Sequence, residues 1–324
     1  MGKSLDKEHP ELFHYTGING LEGILKSQTL WATHASFLND STELKEFRNR
    51  LPGILQPVLK NHLAQLEKDP ANKIIVKNSG GRGKVIEDYI SFVDNVYVLL
   101  MGADQQVMSN IEPYILSFCT PGKSDQIKQH GLLSQWRGYG REGGYAVVFD
   151  TSKLLKLLPR EAEMYSPNYY IIGGDVVYSS DSDKIFVQEM KDDLKVISDF
   201  MSEFMVAEHH DFNKLFVPLI KCACRYKHGG FHEEKEVRIV ALPSPDETKP
   251  LPPQAKKRHH YVREGTPVPC IHLFENLGMP LPITRIIVGP HRDKEKRKYA
   301  LENLLSLHQL DITVSVSDIP YVGY

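Results

Sequence analysis

The run Glu234-Lys235-Glu236-Val237-Arg238-Ile239-Val240 places two carboxylates and a guanidinium at alternate positions of an apolar stretch. In an extended chain alternate side chains share a face, so Glu234, Glu236 and Arg238 would stand opposite Val237 and Ile239. Such a face needs either a polar cavity or mutual pairing, the plain alternative being a solvated strand edge carrying a Glu–Arg pair. His14, between Phe13 and Tyr15, is a second polar group in an apolar run. It reads either as a hydrogen-bonded structural histidine or as a ligand-binding one. Ser134 to Gly144 holds Trp136, Arg137, Tyr139 and Arg141 among four glycines. Aromatic rings there could stack a flat ligand and arginines could bind phosphate oxygens, while glycines let the backbone approach closely. The plain alternative is a hairpin-like turn with a buried tryptophan.

Other runs imitate motifs without their spacing. Thr120-Pro121-Gly122-Lys123-Ser124 resembles the end of a phosphate-binding loop, but the first glycine of that motif would fall on Ser117. Cys222 and Cys224, with His228 and His232, stand one residue apart on a predicted helix, which points the thiols away from each other. They read as core cysteines, and no metal site is expected. Lys256-Lys257-Arg258-His259-His260 reads as a solvated loop or strand start able to meet a phosphate-bearing partner.

The elements that position these groups alternate irregularly. Strands are expected at Leu12–Tyr15, Leu30–Thr33, Tyr114–Cys119, Tyr145–Phe149, Val176–Tyr178, Glu236–Leu242, Ile283–Val288 and Ile312–Val316. A helix with apolar positions Ile18, Leu21, Ile24 and Leu25 follows the first strand. Asn39-Asp40-Ser41 caps a longer helix that Pro52 and Pro57 should bend or break. Residues 67 to 84 read as a mobile loop, 85 to 101 as a helix, 181 to 209 as a long amphipathic helix, and 212 to 227 and 292 to 307 as two more. Pro243 to Pro253 reads as an exposed connection. Without a regular βαβ rhythm the fold class is α+β: a mixed or antiparallel central sheet in one domain, residues 1–324. Its helical insertions fall at about 41–110 and 181–228.

With 324 residues, 41% hydrophobic and 25% charged, the chain can bury a substantial core. A net charge of −2 argues against coating nucleic acid by bulk positive charge, although a local basic patch stays open. Met1 to Glu8 has no apolar core of a secretory leader, and four cysteines are too few for a disulfide scaffold. A cytoplasmic protein with reduced thiols and no membrane span is expected.

The opening Phe13-His14-Tyr15-Thr16, then Ile24-Leu25, Leu30-Trp31 and Phe37-Leu38-Asn39-Asp40 with Glu43, resembles the bacterial domain-of-unknown-function family 2971. So do Trp136-Arg137-Gly138-Tyr139 before the Gly144 to Phe149 strand, and the segment Phe231 to Arg238. More distantly, the order of His14, an aromatic and Glu236 is similar to the His-Tyr-Glu branch of the ADP-ribosyltransferase superfamily. That resemblance implies an ADP-ribosyltransferase-like sheet and NAD as a substrate, cleaved at its nicotinamide–ribose bond. Glu236 would hold a ribose hydroxyl and offset positive charge, Glu234 would act as base toward the acceptor, and His14 would hold a ribose hydroxyl. Tyr139 or Tyr15 would stack on nicotinamide, and Arg137 or Arg238 would meet the pyrophosphate. Thr16 and Trp136 complete the NAD-binding set. The resemblance leaves the acceptor open (protein, nucleic acid, small molecule or water) and by analogy suggests toxin or phage-defence settings. The competing expectation is a non-catalytic module that senses a nucleotide with the same pocket.

Overall fold

The computed structural model describes residues 4–38, 43–101, 113–140, 143–166, 169–206, 211–243 and 255–320. The cap Asn39-Asp40-Ser41, the residues Arg141 and Glu142, and the Pro-rich connection 244–254 lie outside these. The described chain divides into two compact units. Unit 1 takes residues 1–34, 114–176 and 231–324, and unit 2 takes 35–113 and 177–230. The helical insertions expected at 41–110 and 181–228 fall in the second.

The strands in chain order are β1 (Glu11–Thr16), β2 (Leu30–His34), β3 (Tyr114–Cys119), β4 (Tyr145–Asp150), β5 (Tyr169–Asp175) and β6 (Val177–Tyr178). They continue with β7 (Tyr226–Lys227), β8 (Glu236–Pro243), β9 (Arg258–Arg263), β10 (Thr266–Leu273), β11 (Ile283–Val288) and β12 (Thr313–Val316). Unit 1 is built on a mixed sheet in which β12, β11, β4, β1, β3, β2, β10 and β9 are successive neighbours, with β8 paired to β3 and β5 to β8. All its pairs are antiparallel except β11 with β12. The expected α+β class with a mixed, mostly antiparallel sheet is therefore present.

The sheet forks at β3. One edge of β3 carries β8 along its whole length, from Tyr114↔Ala241 to Cys119↔Glu236. The other edge is shared: β1 bridges it at Phe13↔Cys119, and β2 at Thr33↔Ile115 and His34↔Tyr114. Alternation then sorts the side chains. Leu12, Leu116, Phe118, Val147, Phe149, Val237, Ile239 and Ile286 belong to the large core, with Leu21, Ile24 and Leu25 of the helix Ile18–Ser27. Leu154, Leu157, Leu158, Leu301 and Leu305 from three other helices join them. The opposite face holds a smaller cluster of Phe13, Tyr15, Cys119, Trp136, Ala146, Val148 and Ile287.

Several local expectations change. Residues 67 to 84 are not a loop: Asp69 caps a helix Pro70–Asn78 by accepting the Ala71 amide, with Pro70 in the first turn where its missing N–H costs nothing. Pro52 and Pro57 lie inside one helix, Glu43–Leu66. The long helix expected from 181 is two, Asp183–Glu189 and Lys191–Val206. The Trp136 run is neither loop nor hairpin turn but a short helix, Leu133–Tyr139. Strand β5 and the β9–β10 hairpin were not legible as strands, since Gly173-Gly174 and Pro267/Pro269 depress β propensity.

Unit 2 is helical, with a two-stranded parallel pairing of β6 and β7. Phe47, Tyr97, Phe186 and Tyr226 cluster at its centre. Arg50 ties it together, donating to Asp183 and to the Ser179 and Asp181 carbonyls.

Candidate functional site

At the fork β1 leaves the edge of β3, and the Ser117 carbonyl is met by a side chain: His14 Nδ1 lies 3.1 Å away. A carbonyl can only accept, so Nδ1 carries the proton and Nε2 keeps its lone pair. Burial lowers the pKa of His14, so the ring is neutral at neutral pH. It stands edge-on to Phe118, 5.9 Å between centroids, on the side of the large core. Thr16 follows on the same face, and Gly20 leaves room for it: a Cβ on Gly20 would lie 2.1 Å from the Thr16 hydroxyl.

Tyr15 points the other way. Its hydroxyl accepts the Leu132 amide at 2.8 Å, and its ring meets Trp136 edge to face at 4.9 Å. Trp136 is fully buried and gives its indole N–H to the His130 carbonyl. Trp136 is thus core, whereas Arg137 and Tyr139 on the same helix are exposed, Tyr139 at 47%.

Glu236 and Arg238 share one face of β8, as alternation predicts. Arg238 donates from Nε to Glu236 Oε1 at 2.7 Å and from Nη2 to Oε2 at 3.2 Å. The pair is not at a solvated edge. β8 is an interior strand between β3 and β5, and the two residues are 3% and 2% exposed. A fork of this kind is among the stronger ion-pair geometries, and buried charges require it. Glu234 does not continue the alternation. It ends the 3-10 turn before β8 and is half-buried, and Lys235, with φ at 43°, breaks the extended chain between them.

Register decides which of these groups share a face. Phe13, Cys119 and Glu236 lie in one row across β1, β3 and β8, and Ser117 lies beside Arg238. Tyr15, Glu236 and Arg238 are therefore on one face of the sheet. His14 and Thr16 are on the other, with His14 reaching the fork at Ser117. The structure brings together three pairs, His14 with Ser117, Tyr15 with Trp136, and Glu236 with Arg238.

The run Thr120 to Ser124 has structural work: the Thr120 amide bonds the Lys235 carbonyl, and Ser124 caps the helix Asp125–His130. All four cysteines are buried free thiols. The basic run changes character, because Lys256 is not solvated. It pairs with Glu161 at 2.6 Å, with the two side chains 1% and 0% exposed, and Glu161 also accepts from Tyr169 at 3.0 Å. Sequence reading missed a row of rings on β2, β10 and β9: Trp31 stacks on His272, and His272 on His259. The alternation of His259 with Tyr261 was its only signal. Among the described residues two groups of three side chains stand close enough to share a metal ion, His259/His272/Glu275 and Glu8/His9/Asp175.

No curated protein and no solved structure matches the chain. The matching region begins at Gln135, just before Trp136, and ends at Ile239, just after Arg238, taking in Arg137, Tyr139, Glu234 and Glu236 but not His14. Residues 135–239 match the family described as "Protein of unknown function (DUF2971)", and that stretch of the chain carries the family's sequence.

Proposed function

We propose that unit 1 is an ADP-ribosyltransferase-like enzyme that cleaves the nicotinamide–ribose bond of NAD and passes ADP-ribose to an acceptor. The observation that carries this reading is the buried Glu236–Arg238 fork, a fixed carboxylate on the face of the sheet that also holds Tyr15. His14, expected to hold a ribose hydroxyl, is on the opposite face of the sheet, where its Nδ1 bond to the Ser117 carbonyl positions β1 against β3. The glycosidic C–N bond breaks with its electron pair going to nicotinamide, leaving an oxocarbenium-like ribose. A fixed carboxylate stabilises that charge without forming a covalent bond. Glu236 has this role, its carboxylate held in place by Arg238. Glu234, half-buried before β8, takes the proton of the attacking acceptor. Exposed Arg137 meets the pyrophosphate, and exposed Tyr139 stacks on the nicotinamide in place of the committed Tyr15.

A second reading has an observation of its own. Glu236 is almost wholly buried and paired on both oxygens, as a structural carboxylate would be, which favours a module that binds a nucleotide without cleaving it. Nicotinamide release from NAD by wild type, Glu236→Gln and Glu236→Asp, with cell lysate as acceptor, separates the two. The enzyme reading expects release that falls about 10²–10³-fold in Glu236→Gln, with circular dichroism unchanged. Binding of NAD without release by wild type would establish the second reading instead.

A further inference from the structure

The rings on β2, β10 and β9 form a cleft that the reading above leaves unused. Trp31 and His272 are stacked at 5.3 Å with planes 9° apart, and His272 and His259 at 3.9 Å with planes 8° apart. Tyr261 lies 5.9 Å from Trp31, its hydroxyl 3.2 Å from Thr33 Oγ1. Register explains the ladder. Trp31 pairs with His272 and Cys270 with His259, so the rings rise from one face of three neighbouring strands. Together with Arg258 they line a cleft of about 380 Å³. That volume is at the small end of ligand pockets, enough for a flat base with its sugar. Two ring nitrogens of these walls, Trp31 Nε1 and His259 Nε2, are buried without a hydrogen-bond partner.

We propose that this cleft binds a purine nucleotide unit, its base laid against Tyr261 and the Trp31–His272–His259 ladder and its phosphate met by exposed Arg258. An aromatic wall with a basic rim suits a flat base and its phosphate, and a purine offers the larger π-face. A metal ion is the competing occupant, because Glu275 Oε2 lies 3.8 Å from His259 Nε2. Rings 8° from parallel aim their lone pairs side by side instead of toward one point, so the stacked pair is a poor chelate. The site needs no nicotinamide and stands apart from the NAD reading. The unit can come from a free nucleotide or from a single-stranded nucleic acid, and the two sources share the chemistry.

Calorimetric titration of the full chain with AMP, adenosine, UMP, ribose 5-phosphate, a ten-residue oligoadenylate and zinc tests the proposal. AMP is expected to bind, and UMP and ribose 5-phosphate more weakly. Tyr261→Ala and His259→Ala should each weaken AMP about tenfold, while Tyr261→Phe, which keeps the stacking face, retains it. Arg258→Ala should weaken AMP but not adenosine. Oligoadenylate binding much tighter than AMP and falling steeply with salt assigns the source to single-stranded nucleic acid, and comparable affinities assign it to free nucleotide. Absence of binding by AMP and oligoadenylate alike would overturn the proposal. So would equal binding of ribose 5-phosphate or UMP, or tight zinc binding that Glu275→Gln abolishes and that excludes AMP.

Discussion

Glu236 is held by Arg238, and His14, on the other face of the sheet, by the Ser117 carbonyl. Burial lowers the His14 pKa below its ordinary 6.5, and that of His272 in the same way, with His259 beside it adding to the shift. The sign of the linkage follows. Between the two pKa values the unfolded chain holds the proton and the folded chain does not, so folding stability rises with pH. The contribution is present above about pH 6.5 and is lost as pH falls through the folded value. Calorimetric melting should show Tm dropping from pH 7 to pH 5. His14→Asn, whose amide can still donate to Ser117 but cannot titrate, should drop less. An equal drop in that variant would show that His14 does not titrate in this range.

Much at this scale was legible. Alternation placed Glu236 and Arg238 together, and they are together. It failed one residue earlier, because the left-handed Lys235 ends the strand pattern, so Glu234 belongs to a 3-10 turn and not to the strand as expected. It also could not relate His14 to Glu236. A period of two fixes faces within a strand, whereas relating faces between strands requires register, which for β1, β3 and β8 is set by pairings more than 100 residues apart.

Among the elements, the helix Leu133–Tyr139 shows why glycine richness misled. The expected ligand loop is held as a helix by Trp136, whose indole fills the space over Tyr15 and beside Gly131. Gly131 has φ at 77°, and a Cβ there would meet the indole at 2.6 Å. Gly131→Ala should therefore cost about 1–3 kcal/mol from overpacking alone, read as a lowered urea midpoint. An unchanged midpoint would mean that Trp136 can shift freely. The Lys256–Glu161 pair locks the helix Leu157–Met164 to the approach to β9 in the same way. Removing one partner leaves a buried charge, so Glu161→Ala should cost about 3–5 kcal/mol, and a joint Lys256→Met, Glu161→Gln change, whose amide oxygen can still accept from Tyr169 or Phe274, much less. Equal losses in the single and double variants would show that the pairing is not the source. This pair was invisible in sequence because its members are 95 positions apart and Lys256 sits in a run of surface-type residues.

For the whole molecule, the sequence showed where helical segments interrupt the sheet but not that they gather into a unit of their own, since the two insertions are separated by three strands of unit 1. No helix among the described residues is long and apolar enough to cross a membrane. Burial pushes the Cys270 thiol up to about 11 and Cys222 further still. Native protein at pH 7 should therefore leave all four cysteines unreacted with a thiol reagent over minutes, and expose them all in guanidinium. Rapid reaction of any one would place a thiolate at the surface and contradict the packing.

The measurement closest to the central claim is the initial rate of nicotinamide release from NAD by wild type and Glu236→Gln, each with and without lysate. Release by wild type that Glu236→Gln loses by two orders of magnitude or more, while its melting curve stays cooperative, is the predicted result. Release that is absent in wild type under both conditions, or that Glu236→Gln leaves untouched, would contradict the assignment of the Glu236 carboxylate to the NAD site.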